Sequence, residues 1–106
     1  MTTFDESEAG FEAKFTHDAD VEFRVVARRN KLLGQWAAGK LGMTGPDAET
    51  YAKTVIAADF EESGEEDVFR KILGDLAAGK VAATDVDVRA AMGEMLIEAR
   101  RQILAA

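Results

Sequence analysis

The chain has 106 residues, no cysteine and a formal net charge of −7, with 47% hydrophobic and 31% charged residues. This length suits one domain with a small core. The missing cysteines exclude disulfides, zinc thiolate sites and a cysteine nucleophile, and the acidity argues against general nucleic-acid binding. Met1-Thr2-Thr3-Phe4-Asp5-Glu6 has neither the basic start nor the apolar run of a signal peptide. No stretch approaches the roughly 20 apolar residues of a membrane span. A cytoplasmic protein without direct membrane insertion, monomeric when free, is therefore expected.

Charge is unevenly distributed. Residues 1–20 carry a net −5, residues 21–43 a net +4 and residues 44–64 a net −4. Residues 65–79 carry −2, and residues 80–106 balance. A basic band thus lies between acidic flanks. Such a band either complements neighbouring helices or binds an anion such as a nucleotide phosphate.

Residues 3–15 have a helical pattern. Thr3 and Glu6 stand at capping-box spacing, and Phe4, Phe11 and Phe15 fall on one helical face. Gly10 weakens this helix by about 1 kcal/mol relative to alanine. A helix this short is marginal alone, so it must dock on the body, dock on a partner or fray. Thr16-His17-Asp18-Ala19-Asp20 either interrupts the helix or lies within it.

The helical pattern then continues to about Gly39. Phe23, Val26, Ala27, Asn30, Leu33, Ala37 and Leu41 recur at three- and four-residue steps. Asn30 falls inside this stripe, where a buried amide needs partners. Gly39, Gly42, Gly45 and Pro46 end the segment.

Thr44 and Asp47 open a second helix with the stripe Ala48, Tyr51, Ala52, Val55, Ile56 and Phe60. Asp59 lies beside that stripe. Ser63 and Glu66 repeat the cap spacing before Val68, Phe69, Ile72, Leu73 and Leu76, and Gly79 supplies a stop. Thr84 and Asp87 open the last helix, whose stripe is Val88, Ala91, Met92, Met95, Leu96, Ala99 and Ile103. Strand signals are lacking and the connections are short. The expected fold is all-α, an antiparallel four-helix bundle with an N-terminal helical or frayed extension.

No catalytic group assembles in this pattern. His17 with Asp18 and Asp20 supplies too few ligands for a metal. Ser7 and Ser63 are better read as head and cap residues, and no Walker loop occurs. The acids of residues 59–67 lack the alternation of a calcium loop. No metal, catalytic residue or required cofactor is expected, and the protein is read as a binding protein rather than an enzyme. Arg28, Arg29 and Lys31 are the candidate phosphate ligands. Trp36 is either a core residue or a platform for a base; the core reading is favoured because aromatic burial dominates small cores.

Phe11-Glu12-Ala13-Lys14-Phe15, His17-Asp18 and Ala27-Arg28-Arg29-Asn30-Lys31-Leu32-Leu33-Gly34 with Trp36-Ala37-Ala38 resemble the zeta-subunit family of alphaproteobacteria. Tyr51-Ala52-Lys53, Ala58-Asp59-Phe60-Glu61-Glu62 and Glu66-Asp67-Val68 extend the match. The resemblance implies a four-helix bundle that regulates the F-type ATP synthase. It implies an inhibitory segment at residues 1–16 and a bundle at residues 17–106. Phe4, Phe11, Lys14 and Phe15 would meet the catalytic head. It also implies ADP or ATP as a regulatory ligand of the bundle, for which Arg28, Arg29, Lys31 and Trp36 are the candidates; a nucleotide-binding module without strong inhibition is the alternative. The protein would then sit peripherally at the inner membrane when bound to the synthase. The head departs from the family's alternation of acid and arginine: Asp5-Glu6-Ser7-Glu8-Ala9-Gly10 carries no arginine.

Overall fold

A computed structural model describes residues 3–60 and 64–106, with side chains described from His17 onward. The Thr3–Glu6 cap, the side chains of Phe4, Phe11, Lys14 and Phe15, and the Ser63 cap lie outside the described residues.

The helices are α1 (Thr3–Lys40), α2 (Gly45–Ala58), α3 (Glu66–Ala78) and α4 (Asp85–Ala105). Helix α1 passes through residues 16–20 without a break. No strand occurs among the described residues. At 38 residues α1 is about 57 Å long, more than twice the length of α2 or α3. Its C-terminal half packs mainly between α2 and α4.

Contacts between the helices fix the antiparallel order. Asn30 meets Asp59, while Gly34 meets Ala52 four positions further along α1. Tyr51 of α2 bonds to Asp75 of α3. On the other side of α1, Glu22 pairs with Arg100 near the end of α4, while Trp36, further along α1, shares a hollow with Asp87 near the start of α4.

The core is built from Leu33 and Ala37 of α1, Val55 of α2, Val68, Phe69, Ile72 and Leu76 of α3, and Val88, Ala91 and Met92 of α4. Trp36 packs half-buried against it. These are the apolar stripes that the sequence periods predict, with two corrections. Phe23 and Phe60 are expected in core stripes but are 59% and 70% exposed. The α1 seam runs instead through Val25, Arg29, Leu33 and Ala37, all buried. Helix α2 ends at Ala58, so it does not extend far enough to cover Phe23.

The helix ends differ in how they are made. Thr44 occupies the N-cap position of α2 in an extended conformation but makes no side-chain cap bond. Thr84 does cap α4: its Oγ1 accepts from the Asp87 N–H at 3.2 Å, and its own N–H donates to Asp87 Oδ2 at 2.9 Å. Helix α1 ends in a Schellman turn. There the Met43 N–H donates to Ala38 O at 2.9 Å and Gly42 adopts φ +78°. The same turn ends α3, with Val81 N–H donating to Leu76 O at 2.9 Å. The left-handed position there is Lys80 at φ 60°, one residue beyond the predicted stop at Gly79. Gly79 lies against Leu41: a Cβ there would meet the end of the Leu41 side chain, which would have to shift.

Candidate functional site

The basic band, read either as charge complementing neighbouring helices or as an anion site, is divided among separate surroundings. Arg29 is 3% exposed on the core seam of α1. Its Nε donates to Asn30 Oδ1 at 2.8 Å and its Nη1 to Glu65 Oε2 at 3.1 Å. Asn30, 1% exposed, donates its amide to Asp59 Oδ2 at 3.0 Å. A buried guanidinium and a buried amide are tolerable because each finds a partner. The pair ties α1 to the end of α2 and the start of α3.

Arg28 leans the other way, donating to Gln102 Oε1 of α4 at 2.6 Å. Lys31 is exposed beside α2, in a groove of about 340 Å³ lined by Lys31, Gln35, Glu49, Ala52, Lys53 and Ile56. Trp36 lies further along α1, with the Lys40 ammonium 5.1 Å from its ring centre. It borders a hollow with Ala83, Asp87 and Ala91 at the α3–α4 end. The four candidate nucleotide residues therefore do not converge on one pocket. Arg29 is committed to the buried network, and Lys31 is the member open to solvent.

A different hollow lies where α1 enters the bundle. It measures about 470 Å³ and is lined by Glu22, Val26, Arg29, Asp59, Gly64, Glu65 and Leu96. Sequence pattern alone does not single out Glu65 or Arg89, yet both stabilise this region. Arg89 of α4 bonds to Glu66 at 2.9 Å and stacks its guanidinium 3.6 Å from the Phe69 ring centre. The available signal was Arg29 itself, since a charged residue on a core seam requires an acid from another element.

Polar clusters outside this region show shifted titration. Burial, with the hydrogen bond to Asp75, pushes the Tyr51 phenol well above its usual value. Hydrogen bonds from Arg101 and then Gln102 hold Glu98 down to about 2. His17 is exposed on α1, and no group of three or more metal-ligating side chains occurs among the described residues. No helix among them is long and apolar enough to cross a membrane.

Helix α1 also links the bundle to the phenylalanine-bearing segment. The backbone is helical from Thr3 into the core, and residues 17–20 are exposed. Helical spacing places positions 4, 11 and 15 on the same face as Glu22, Val26 and Arg29. The arm face thus leads directly to the hollow.

Comparison with known proteins agrees with this architecture. A protein solved by solution NMR is 44% identical, with a TM-score of 0.71 over 79% of this chain and 95% of that one. No curated protein matches the chain. The family model for ATPase inhibitor subunit zeta matches residues 1–102, nearly the full length, and is matched by a bundle of the expected all-α fold. The chain belongs to the ATPase inhibitor subunit zeta family.

Proposed function

We propose that this regulatory subunit inhibits ATP hydrolysis by the catalytic head of the F-type ATP synthase, using residues 1–16 as its inhibitory element. Family membership supports association with the synthase and a regulatory role. The observation that carries the finer reading is the continuity of α1, one helix from Thr3 to Lys40 whose buried residues, among the described side chains, begin at Val25. A helix continuing in this way ahead of its buried part would present Phe4, Phe11, Lys14 and Phe15 to an interface while the bundle fixes its position. Docked at a catalytic interface, it would obstruct the movements that hydrolysis requires. Replacing Phe4, Phe11 and Phe15 with alanine in the full chain tests the assignment. The variant should lose at least about tenfold in inhibitory potency, the loss of roughly 1.4 kcal/mol of binding. Unchanged potency would remove the arm's role.

A second reading, a regulatory ADP or ATP ligand, is supported by the α1–α2 groove, where Lys31 and Lys53 offer two ammonium groups. It does not require the arm to inhibit. ADP and ATP titrations of isotope-labelled protein should give saturable amide shifts around Lys31 and Lys53. A Lys31→Gln, Lys53→Gln chain that binds nucleotide as tightly as the native protein would exclude this groove.

A further inference from the structure

We propose that the bundle carries a second contact for the catalytic head: the exposed Phe23–Phe60 pair and the acidic hollow beside it take a basic side chain flanked by apolar residues. This rests on the reading that the arm of residues 1–16 docks on that head, and it extends the contact onto the folded body.

Phe23 comes from the middle of α1 and Phe60 from the turn after α2, yet their rings lie 6.5 Å apart at a 45° tilt. Both are mostly exposed. Two adjacent exposed phenylalanines form an apolar patch of the kind that anchors interfaces, unlike a lone surface apolar residue. Their chain neighbours Glu22 and Asp59 line the hollow, joined by Glu65, with Val26 and Leu96 as apolar wall.

The charge of the hollow selects its occupant. Glu22, Asp59 and Glu65 contribute three carboxylates against the single guanidinium of Arg29. Glu22 is paired from outside the lining with Arg100, and Glu65 with Arg29 and, at 3.9 Å, with Arg89, so the unmatched charge of the hollow is that of Asp59. Asp59 accepts only the neutral Asn30 amide, and no cation pairs with it among the described residues. An arginine or lysine entering the hollow would satisfy Asp59 while its stem, or a neighbouring apolar residue, covers the rings. The helical register supplies the connection: a partner surface that covers positions 4, 11 and 15 continues along the same face to Glu22 and Val26.

The test measures binding of the full chain to the purified catalytic head across a range of salt concentrations. Phe23→Ala with Phe60→Ala should weaken binding about tenfold, equivalent to the 1.4 kcal/mol of one hot spot, with little change in thermal melting. Asp59→Asn keeps an acceptor for Asn30 and removes the charge. It should weaken binding and flatten its salt dependence. Native affinity and salt dependence in both variants would overturn the proposal. The Phe4, Phe11, Phe15→Ala chain separates the two readings. If it binds natively while the Phe23, Phe60 variant is weakened, the arm reading fails and the docking surface stands; the reverse result removes the docking surface alone. A Phe23, Phe60 variant that changes only self-association, read by sedimentation, would assign the patch to a second copy and overturn the proposal.

Discussion

Gly34 lies at a close approach of α1 to α2, and its missing side chain permits that approach. A Cβ there would sit 2.6 Å from the Ala52 Cα, a backbone atom that cannot swing aside. Gly34→Ala should therefore destabilise the bundle by about 1–3 kcal/mol, the usual cost of overpacking, measurable by urea denaturation. Lys80 presents the opposite case. Its left-handed φ of 60° is unfavourable for a residue with a Cβ. Relief of about 1–2 kcal/mol of strain, offset by the greater unfolded-state freedom of glycine, about 0.4–1 kcal/mol, makes Lys80→Gly a stabilising change. The melting temperature should rise. Neither site is legible in sequence: Gly34 resembles a weak helix position, and Gly79-Lys80 resembles a stop at the glycine.

At the scale of elements, the helices and most of their apolar faces were legible, because three- and four-residue spacing directly reports the buried side. The errors at Phe23 and Phe60 arise because periodicity reports direction but not how far the neighbouring helix extends. The Arg29–Asn30 network was half legible. Asn30 in a core stripe demanded partners, but the identity of Asp59 depends on antiparallel register. The α4 start is the clearest local signal, since Thr84 and Asp87 form the reciprocal cap that their spacing implies. Thr84→Ala should cost about 1 kcal/mol. Bonds from Thr84, first its backbone N–H and then its hydroxyl, hold the Asp87 carboxyl below its ordinary value. A depressed carboxyl stabilises the fold above its unfolded pKa of about 3.9 and ceases to do so as pH falls through the folded value. Denaturation between about pH 5 and pH 2 should show that acid-labile contribution in the native chain, and Thr84→Ala should reduce it.

For the whole molecule, the organisation follows from the unequal helix lengths. The three shorter helices bury α1 from Val25 onward, while residues 17–20 ahead of it are exposed. The arm is consequently built into the same helix as the core, and any force on it is transmitted to a packed element. Arg28, Arg29 and Lys31 form one basic band because they are close in sequence. In three dimensions a helix turns consecutive residues toward different neighbours, so Arg28 meets α4, Arg29 enters the core network and Lys31 faces α2. The most direct test of the central claim compares ATP hydrolysis by the cognate synthase with no addition, with the full chain, and with a chain lacking residues 1–15 whose helicity and melting have been checked. The account predicts that the full chain slows hydrolysis and that the shortened chain restores it at least about tenfold toward the uninhibited rate, corresponding to about 1.4 kcal/mol of lost arm binding. Equal inhibition by the two chains, or none by the full chain, would contradict it.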